Sequence, residues 1–219
     1  MLRLAGLRIN PRTNGPHLGT TITGISLIRI EDGRQIAVST PPGARMSQPR
    51  WSPDGKWFAF TNTTGERIDL WLAETETGRT KLIAGLRVNA AFGETIQWMP
   101  DSRHLLLQTV PPGRGAAPVE PRTPSGPRIQ ESAGKPSPVR TYQDLLTSTH
   151  DEDLFDYHMT AQVMLVDAAA GNATAFGEPG IYSSIEPSPD GQLAYGTATA
   201  SWPQIFSRSR CVNRCRSKV

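Results

Sequence analysis

An all-β chain built from repeated four-stranded antiparallel sheets is predicted by three observations. The first is a recurring turn. "RWSPDGKWFAF" at 50–60 returns as "QWMPDSRHLLL" at 97–107 and "EPSPDGQLAY" at 186–195, which places Asp54, Asp101 and Asp190 at separations of 47 and 89 residues. The second is a hairpin out of phase with that turn. "ISLIRIEDGRQIAV" (25–38), "IDLWLAETETGRTKLI" (68–83) and "AQVMLVDAAAGNATAF" (161–176) each run apolar strand, polar turn, strand, with Gly33, Gly78 and Gly171 spaced 45 and 93 apart. The third is the period. About 45 residues hold two hairpins, hence four strands, and that is the signature of a β-propeller blade.

The repeated turn has a physical basis. Pro53 presets φ at the first turn position, Asp54 tolerates the next, and Gly55 can adopt the positive φ that closes a tight, bulged return. Trp51, Trp57, Phe58 and Phe60 are expected to fill the space between stacked blades, and Trp98 with Leu105–Leu107 repeats the arrangement. Core is the expected role of these indoles, since a base-stacking platform would need basic neighbours. The motif reads as architecture.

Taken in order, residues 1–39 are expected to supply the later strands of one blade and 47–84 a complete blade. A third blade starts at 94–109, is interrupted, and resumes at 160–177; a fourth begins at 181–196. Residues 1–196 therefore read as an incomplete β-propeller, about two full four-stranded blades plus partial ones, because closed propellers take about four to eight blades. The insertion at 110–160 has two halves. Residues 110–140 hold eight prolines and few apolar residues, the composition of an extended surface loop. "TYQDLLTSTHDEDLFDYHM" then turns helical, with Thr141 and Asp144 as a capping box and Tyr142, Leu145 and Leu146 on one face. An insertion of this length inside a blade is a candidate cover or docking surface.

Composition bounds the function classes. The 219 residues are 37% hydrophobic and 20% charged with 20 glycines and 19 prolines, which suits a turn-rich globular chain. Arg208, Arg210, Arg214, Arg216 and Lys218 concentrate the positive charge in one tail; without residues 197–219 the formal net charge falls from +3 to −2. Nucleic-acid binding requires a basic face on the folded domain, so no nucleic-acid partner is expected. Cys211 and Cys215 also lie in that tail, and a lone C-x3-C pair is too few ligands for zinc. No run approaches the roughly 18 apolar residues of a membrane span. "MLRLAGLRIN" alternates like a strand rather than like a signal peptide. The chain as written is expected to carry no signal peptide or transmembrane segment, which leaves its compartment unassigned, cytoplasmic as encoded.

The polar clusters are weighed one by one. His150, Asp151, Glu152, Asp153, Asp156 and His158 bring two histidines and four carboxylates together, but neither an H-E-x-x-H nor an EF-hand spacing is present. A solvated, acidic helix start explains the same residues. His17 stands alone, and His104 is expected to point to solvent opposite the apolar face of its strand. There is no G-x-S-x-G elbow, G-x-G-x-x-G, phosphate loop or C-x-x-C. No catalytic residue, cofactor-binding residue or metal ligand is assigned, and no cofactor is expected.

The order of "LRLAGLRINPRTNG", "PPGARMSQPRWSPDGKWFAFTNTT", "IQWMPDSRHLLLQTVPPGRGAAP", "GPRIQESAGKPSPVRTYQDLL" and "DEDLFDYHMTAQVMLVD" resembles the N-terminal propeller of prolyl oligopeptidase family serine peptidases, glutamyl endopeptidase-like branch, over about 1–196. The resemblance implies a parent in which a propeller screens access to an α/β-hydrolase domain carrying Ser, Asp and His, with that domain and a peptide substrate as its partners. It transfers no catalytic residue to this chain, which is expected to be inactive alone. After Leu193, "AYGTATASWPQIFSRSRCVNRCRSKV" departs from the family pattern, so residues 197–219 read as a basic, disordered, non-native tail such as a frameshift or premature stop produces. A rival reading is a stand-alone Tol-type propeller that oligomerises to complete its ring, with a structured C-terminus.

Overall fold

The computed structural model describes residues 1–120 and 145–198. The strands are β1 (Leu2–Leu4), β2 (Leu7–Asn10), β3 (Gly15–Pro16), β4 (Ser26–Ile28), β5 (Gln35–Ala37), β6 (Arg50–Trp51), β7 (Trp57–Thr63), β8 (Ile68–Glu74), β9 (Thr80–Ile83), β10 (Ile96–Trp98) and β11 (His104–Thr109). Helix α1 (Thr149–Met159) follows, then β12 (Ala161–Asp167), β13 (Ala173–Gly180), β14 (Tyr182–Pro187) and β15 (Ala194–Ala198). Every pairing is antiparallel between chain neighbours. Two sheets have four strands, β6-β7-β8-β9 and β10-β11-β12-β13; β4-β5 and β14-β15 have two each, and β1-β2-β3 has three.

Four of these sheets stack face to face in chain order. Val38, Met46, Phe58, Phe60 and Ala73 are buried between β4-β5 and β6–β9, with Ile25 and Leu27 packed on them. Ala59, Leu70, Leu72, Ile96, Trp98 and Leu107 fill the next interface, between β6–β9 and β10–β13. Met99, Leu106, Val163 and Ile185 fill the last, against β14-β15. Phe58 and Phe60 thus face one neighbour while Ala59 faces the other. Both faces of β7 and β8 are covered, which is why "WFAF" and "IDLWLA" are nearly continuous apolar runs. Complete burial of a phenylalanine contributes about 1.5–3 kcal/mol, so the interfaces between sheets hold much of the stability. Consecutive four-stranded meanders stacked in this way make the chain an incomplete β-propeller.

The turns follow the repeat. Gly33, Gly78 and Gly171 have φ of 70°, 68° and 77°. Each N–H bonds the carbonyl four residues back, on Arg29, Glu74 and Asp167 respectively. In the other family of turns, Gly55 and Gly191 both have φ of 70°, and Ser102 holds the same left-handed conformation at 58°. The interrupted blade closes as one sheet because β11 and β12 pair in an unbroken register from His104↔Asp167 to Thr109↔Gln162.

Four local expectations need correction. Residues 1–39 do not all supply later strands of one blade: β4-β5 form a hairpin stacked on β6–β9, but β1–β3 form a separate sheet whose Leu4 and Ile9 pack on Phe155 and Met159 of α1. Asn14, at φ 57°, reverses the chain after β2, and the bare Cα of Gly15 comes so close to Ile68 that a Cβ would collide with its side chain. The strand after the last turn runs to Ala198, two residues into the segment 197–219 expected to be a tail, with Thr197 opposite Ser184. Trp51 does not fill an interface: it is 54% exposed beside Phe58, whereas Trp98, its counterpart one blade on, is 5% exposed. Finally, α1 begins at Thr149, capped by Ser148 and Asp151, and Leu145 and Leu146 precede it. Thr141 and Asp144 lie outside the described residues, as does the tail from residue 199.

Candidate functional site

The repeated aspartates build turns. Asp54 Oδ1 accepts from the Ser52 hydroxyl at 2.8 Å and from the Lys56 N–H at 3.1 Å. Asp101 Oδ1 accepts from the N–H groups of Arg103 and His104, both at 2.9 Å. Asp190 Oδ1 does the same for Gln192 at 3.1 Å. Hydrogen bonding by Ser52 and Ser188 holds the exposed Asp54 and Asp190 carboxyls below their usual range. The Ser102 hydroxyl accepts from the Asp54 N–H at 3.0 Å, which ties the turn of one sheet to that of the next.

The densest polar network joins the insertion to the stacked sheets. Asn14 is buried and makes four side-chain hydrogen bonds. Its Nδ2 donates to Asn89 Oδ1 at 2.7 Å and to the His158 carbonyl at 2.9 Å. Its Oδ1 accepts from Arg114 Nη1 at 2.9 Å and faces His158 Nδ1 at 2.8 Å. Because the amide nitrogen already uses both its protons, Nδ1 carries the imidazole proton and Nε2 is the bare nitrogen. Asn89 Nδ2 donates to the carbonyls of His158 and Thr160 at 3.1 and 2.9 Å, which secures the end of α1 at the start of β12. Arg114 also donates to the Tyr157 carbonyl at 3.0 Å and lies 4.1 Å from the centre of its ring. Burial, and secondarily the Arg114 charge, lowers the His158 pKa to about 4. Burial also pushes the Arg114 pKa down. Sequence reasoning did not single out Asn14, Asn89, Arg114 or Tyr157; the Asn14-Gly15 dipeptide, a left-handed turn signal, was the available pointer.

The acidic run splits by face. Asp151 Oδ2 accepts from the N–H and the hydroxyl of Thr147, both at 2.8 Å, and from the Ser148 N–H at 3.1 Å, an acidic helix start as the sequence suggests. Burial and the nearby Asp153 and Glu152 raise the Asp156 pKa. His158 turns inward to Asn14, away from any shared ligand set. No group of three His, Cys, Asp or Glu side chains suited to a metal occurs among the described residues. His104 is not simply solvated: Nδ1 lies 2.5 Å from Asp101 Oδ2, and Nε2 is 3.9 Å from Asp167. Asp167 is itself forked by Arg103 at 2.6 and 3.0 Å and held well below the usual carboxylate range by that contact and by the N–H groups of Ala170 and Ala169. Among the described residues neither His104 nor His158 bonds a serine or threonine hydroxyl, so no nucleophile–base pair is seen there.

A cleft of about 320 Å³ opens where the segment before β6 meets the start of β10, lined by Arg45, Ser47, Arg50, Thr61, Glu94 and Thr95 among others. Arg50 and Glu94 pair across it at 3.7 Å. A second hollow runs beside Leu86, Arg87, Pro111, Arg114 and Tyr157, at the root of the insertion.

Comparison with known proteins identifies what such a scaffold belongs to. No family model matches the chain. It is 36% identical over 204 residues to a protein named probable glutamyl endopeptidase, chloroplastic, of Oryza sativa subsp. japonica, and 33% identical over 202 residues to the protein of that name in Arabidopsis thaliana. Each match covers 86% of this chain. The chain is a homologue of one part of these glutamyl endopeptidases. It spans 21% of the length of either relative. Among solved structures, the chain is similar to TolB from Acinetobacter baumannii (TM-score 0.45, 14% identity, 81% of this chain and 32% of that one). It is also similar to the β-propeller domain of the Trilobed protease from Pyrococcus furiosus (0.44, 16%, 79% and 39%) and to the Pyrococcus horikoshii acylaminoacyl peptidase (0.40, 18%, 78% and 22%).

Proposed function

We propose that this chain is the substrate-screening propeller portion of a glutamyl endopeptidase-like serine peptidase, whose α/β-hydrolase domain carries the catalytic residues. The observation that carries the reading is the 36% identity to a glutamyl endopeptidase across 86% of the chain, in a region built as stacked blades without a nucleophile–base pair at His104 or His158. The architecture supports a screening role. Rigid sheets with buried interfaces hold the first strands β6 and β10 in place, and peptide-sized clefts open beside them. The Asn14 network ties the two described ends of the insertion, Arg114 and the end of α1, to the sheets.

Two experiments test this. The purified chain, given Glu-containing chromogenic peptides and a fluorophosphonate probe, is expected to show neither turnover nor labelling; specific labelling of one serine overturns the non-catalytic part. A chimera in which this chain replaces the matched fifth of the rice protein is expected to cleave short Glu peptides and spare folded substrates. Unchanged size selection after deletion of the matched segment overturns the screening role.

A further inference from the structure

The cleft between the segment before β6 and the start of β10 carries an uneven charge. Its charged lining consists of Arg45, Arg50 and Glu94, two cations against one anion. Glu94 approaches Arg50 at 3.7 Å, with both side chains exposed. That separation is too long for a hydrogen bond, and an exposed pair of this kind is held weakly. The Arg45 guanidinium makes no ion pair or hydrogen bond among the described residues. Both guanidiniums therefore keep N–H donors available to an incoming anion.

The rest of the lining suits a carboxylate on a short aliphatic stem. Met46, Ile68 and Ile96 are buried residues that border the cleft and supply apolar surface. The hydroxyls of Thr61 and Thr95 also line it and make no hydrogen bond among the described residues. A hydroxyl both donates and accepts, so it can serve the amide groups of a peptide as well as a carboxylate. The volume of about 320 Å³ lies at the small end of ligand pockets, roughly 300–1,000 Å³.

The charged residues stand on fixed backbone. The Arg45 N–H donates to Asn62 Oδ1 at 2.9 Å, and the Arg45 carbonyl accepts from the Thr63 N–H at 2.9 Å. Beside it, Met46 and Ile22 exchange two backbone bonds of 2.9 Å. The Arg50 carbonyl accepts from Trp98 Nε1 at 2.8 Å, and the Glu94 N–H donates to the Ser183 carbonyl at 3.0 Å. A site held in this way loses little freedom when a ligand arrives.

We propose that this cleft holds an acidic side chain of an extended peptide. The carboxylate binds Arg45 and takes Arg50 from Glu94, so Glu94 is a built-in competitor that sets the affinity. The proposal rests on the reading of the chain as the propeller portion of a peptidase, and names the substrate feature that this portion recognises.

The test uses the full 219-residue chain and a pentapeptide with blocked ends, one central glutamate and a neutral dye, read by fluorescence anisotropy. The same peptide with central glutamine is expected to bind about tenfold more weakly, since it loses a charge-assisted hydrogen bond. Added salt is expected to weaken the glutamate peptide alone. Arg45→Gln, at an exposed position and checked for folding by circular dichroism, is expected to remove the difference between the two peptides. Arg45→Lys should restore part of it, because the charge returns without the planar fork. Glu94→Gln is expected to tighten binding of the glutamate peptide by freeing Arg50. Equal affinity for the two peptides, no binding of either, or an unchanged preference in folded Arg45→Gln overturns the proposal. None of these results bears on size selection in the chimera, so the screening role and this subsite fail separately.

Discussion

The indole N–H of Trp98 donates to the carbonyl oxygen of Arg50 at 2.8 Å, and through that bond the first strand of one sheet is fastened to the first strand of the next. Trp98 is also in the core between those sheets. The two contributions separate by substitution. Trp98→Phe keeps most of the apolar volume and leaves the Arg50 carbonyl unpaired, a loss of about 1 kcal/mol. Trp98→Ala opens the interface and is expected to cost about 3–5 kcal/mol. Urea unfolding of the two variants checks the ratio; equal losses mean that the bond, not the packing, dominates.

Asn14 combines a left-handed backbone with four side-chain hydrogen bonds, so two variants divide its role. Asn14→Gly relieves the backbone and removes the bonds, whereas Asn14→Ala removes the bonds and adds a backbone penalty of about 1–2 kcal/mol. Both are expected to destabilise, Ala more than Gly. Hydrogen exchange at the end of α1 should accelerate in each, because the His158 carbonyl loses one of its donors.

Acid is expected to weaken the fold through His158. Its pKa drops from an unfolded value near 6.5 to about 4 in the folded chain, because burial disfavours the cation. The unfolded chain therefore binds the proton first as pH falls. The stabilisation is complete above about 6.5, declines between there and about 4, and amounts to something on the order of 3 kcal/mol. Denaturation at pH 7, 5.5 and 4.5 should show a steeper decline in the wild type than in His158→Gln. Parallel profiles refute the assignment.

Gly93 and Gly55 share a left-handed φ, of 72° and 70°, but not a neighbourhood. A Cβ on Gly93 collides with the carbonyl oxygens of Tyr182 and Ser183, and one on Gly55 meets open space. Gly55→Ala is expected to cost only the conformational penalty, about 1–2 kcal/mol. Gly93→Ala should cost clearly more and loosen β14-β15, whose Ser183 carbonyl accepts the Glu94 N–H at 3.0 Å. Melting temperatures order the pair.

Much of the fold was legible before any coordinates. Pro53-Asp54-Gly55, its two near-copies, and Gly33, Gly78 and Gly171 placed the hairpins correctly, since a turn depends on the φ preferences of adjacent residues and a strand on its alternation. Even the joining of 94–109 to 160–177 across the insertion followed from counting strands. The capping box of α1, Ser148 with Asp151, was not singled out for a local reason: Thr141–Asp144, outside the described residues, satisfies the same pattern, and pattern alone does not rank the two.

Tertiary structure decided the rest. Asn14 meets Asn89 across 75 residues and His158 across 144, and no window of sequence registers such a meeting. Its buried amide is placed by how β1–β3, the loop before β10 and α1 come together, and only there does His158 become a buried neutral base rather than a helix-surface histidine. The same holds for the two tryptophans of the repeat. Trp51 and Trp98 are equivalent in sequence, but one is covered and the other exposed, because burial is a property of the neighbouring sheet and not of the residue.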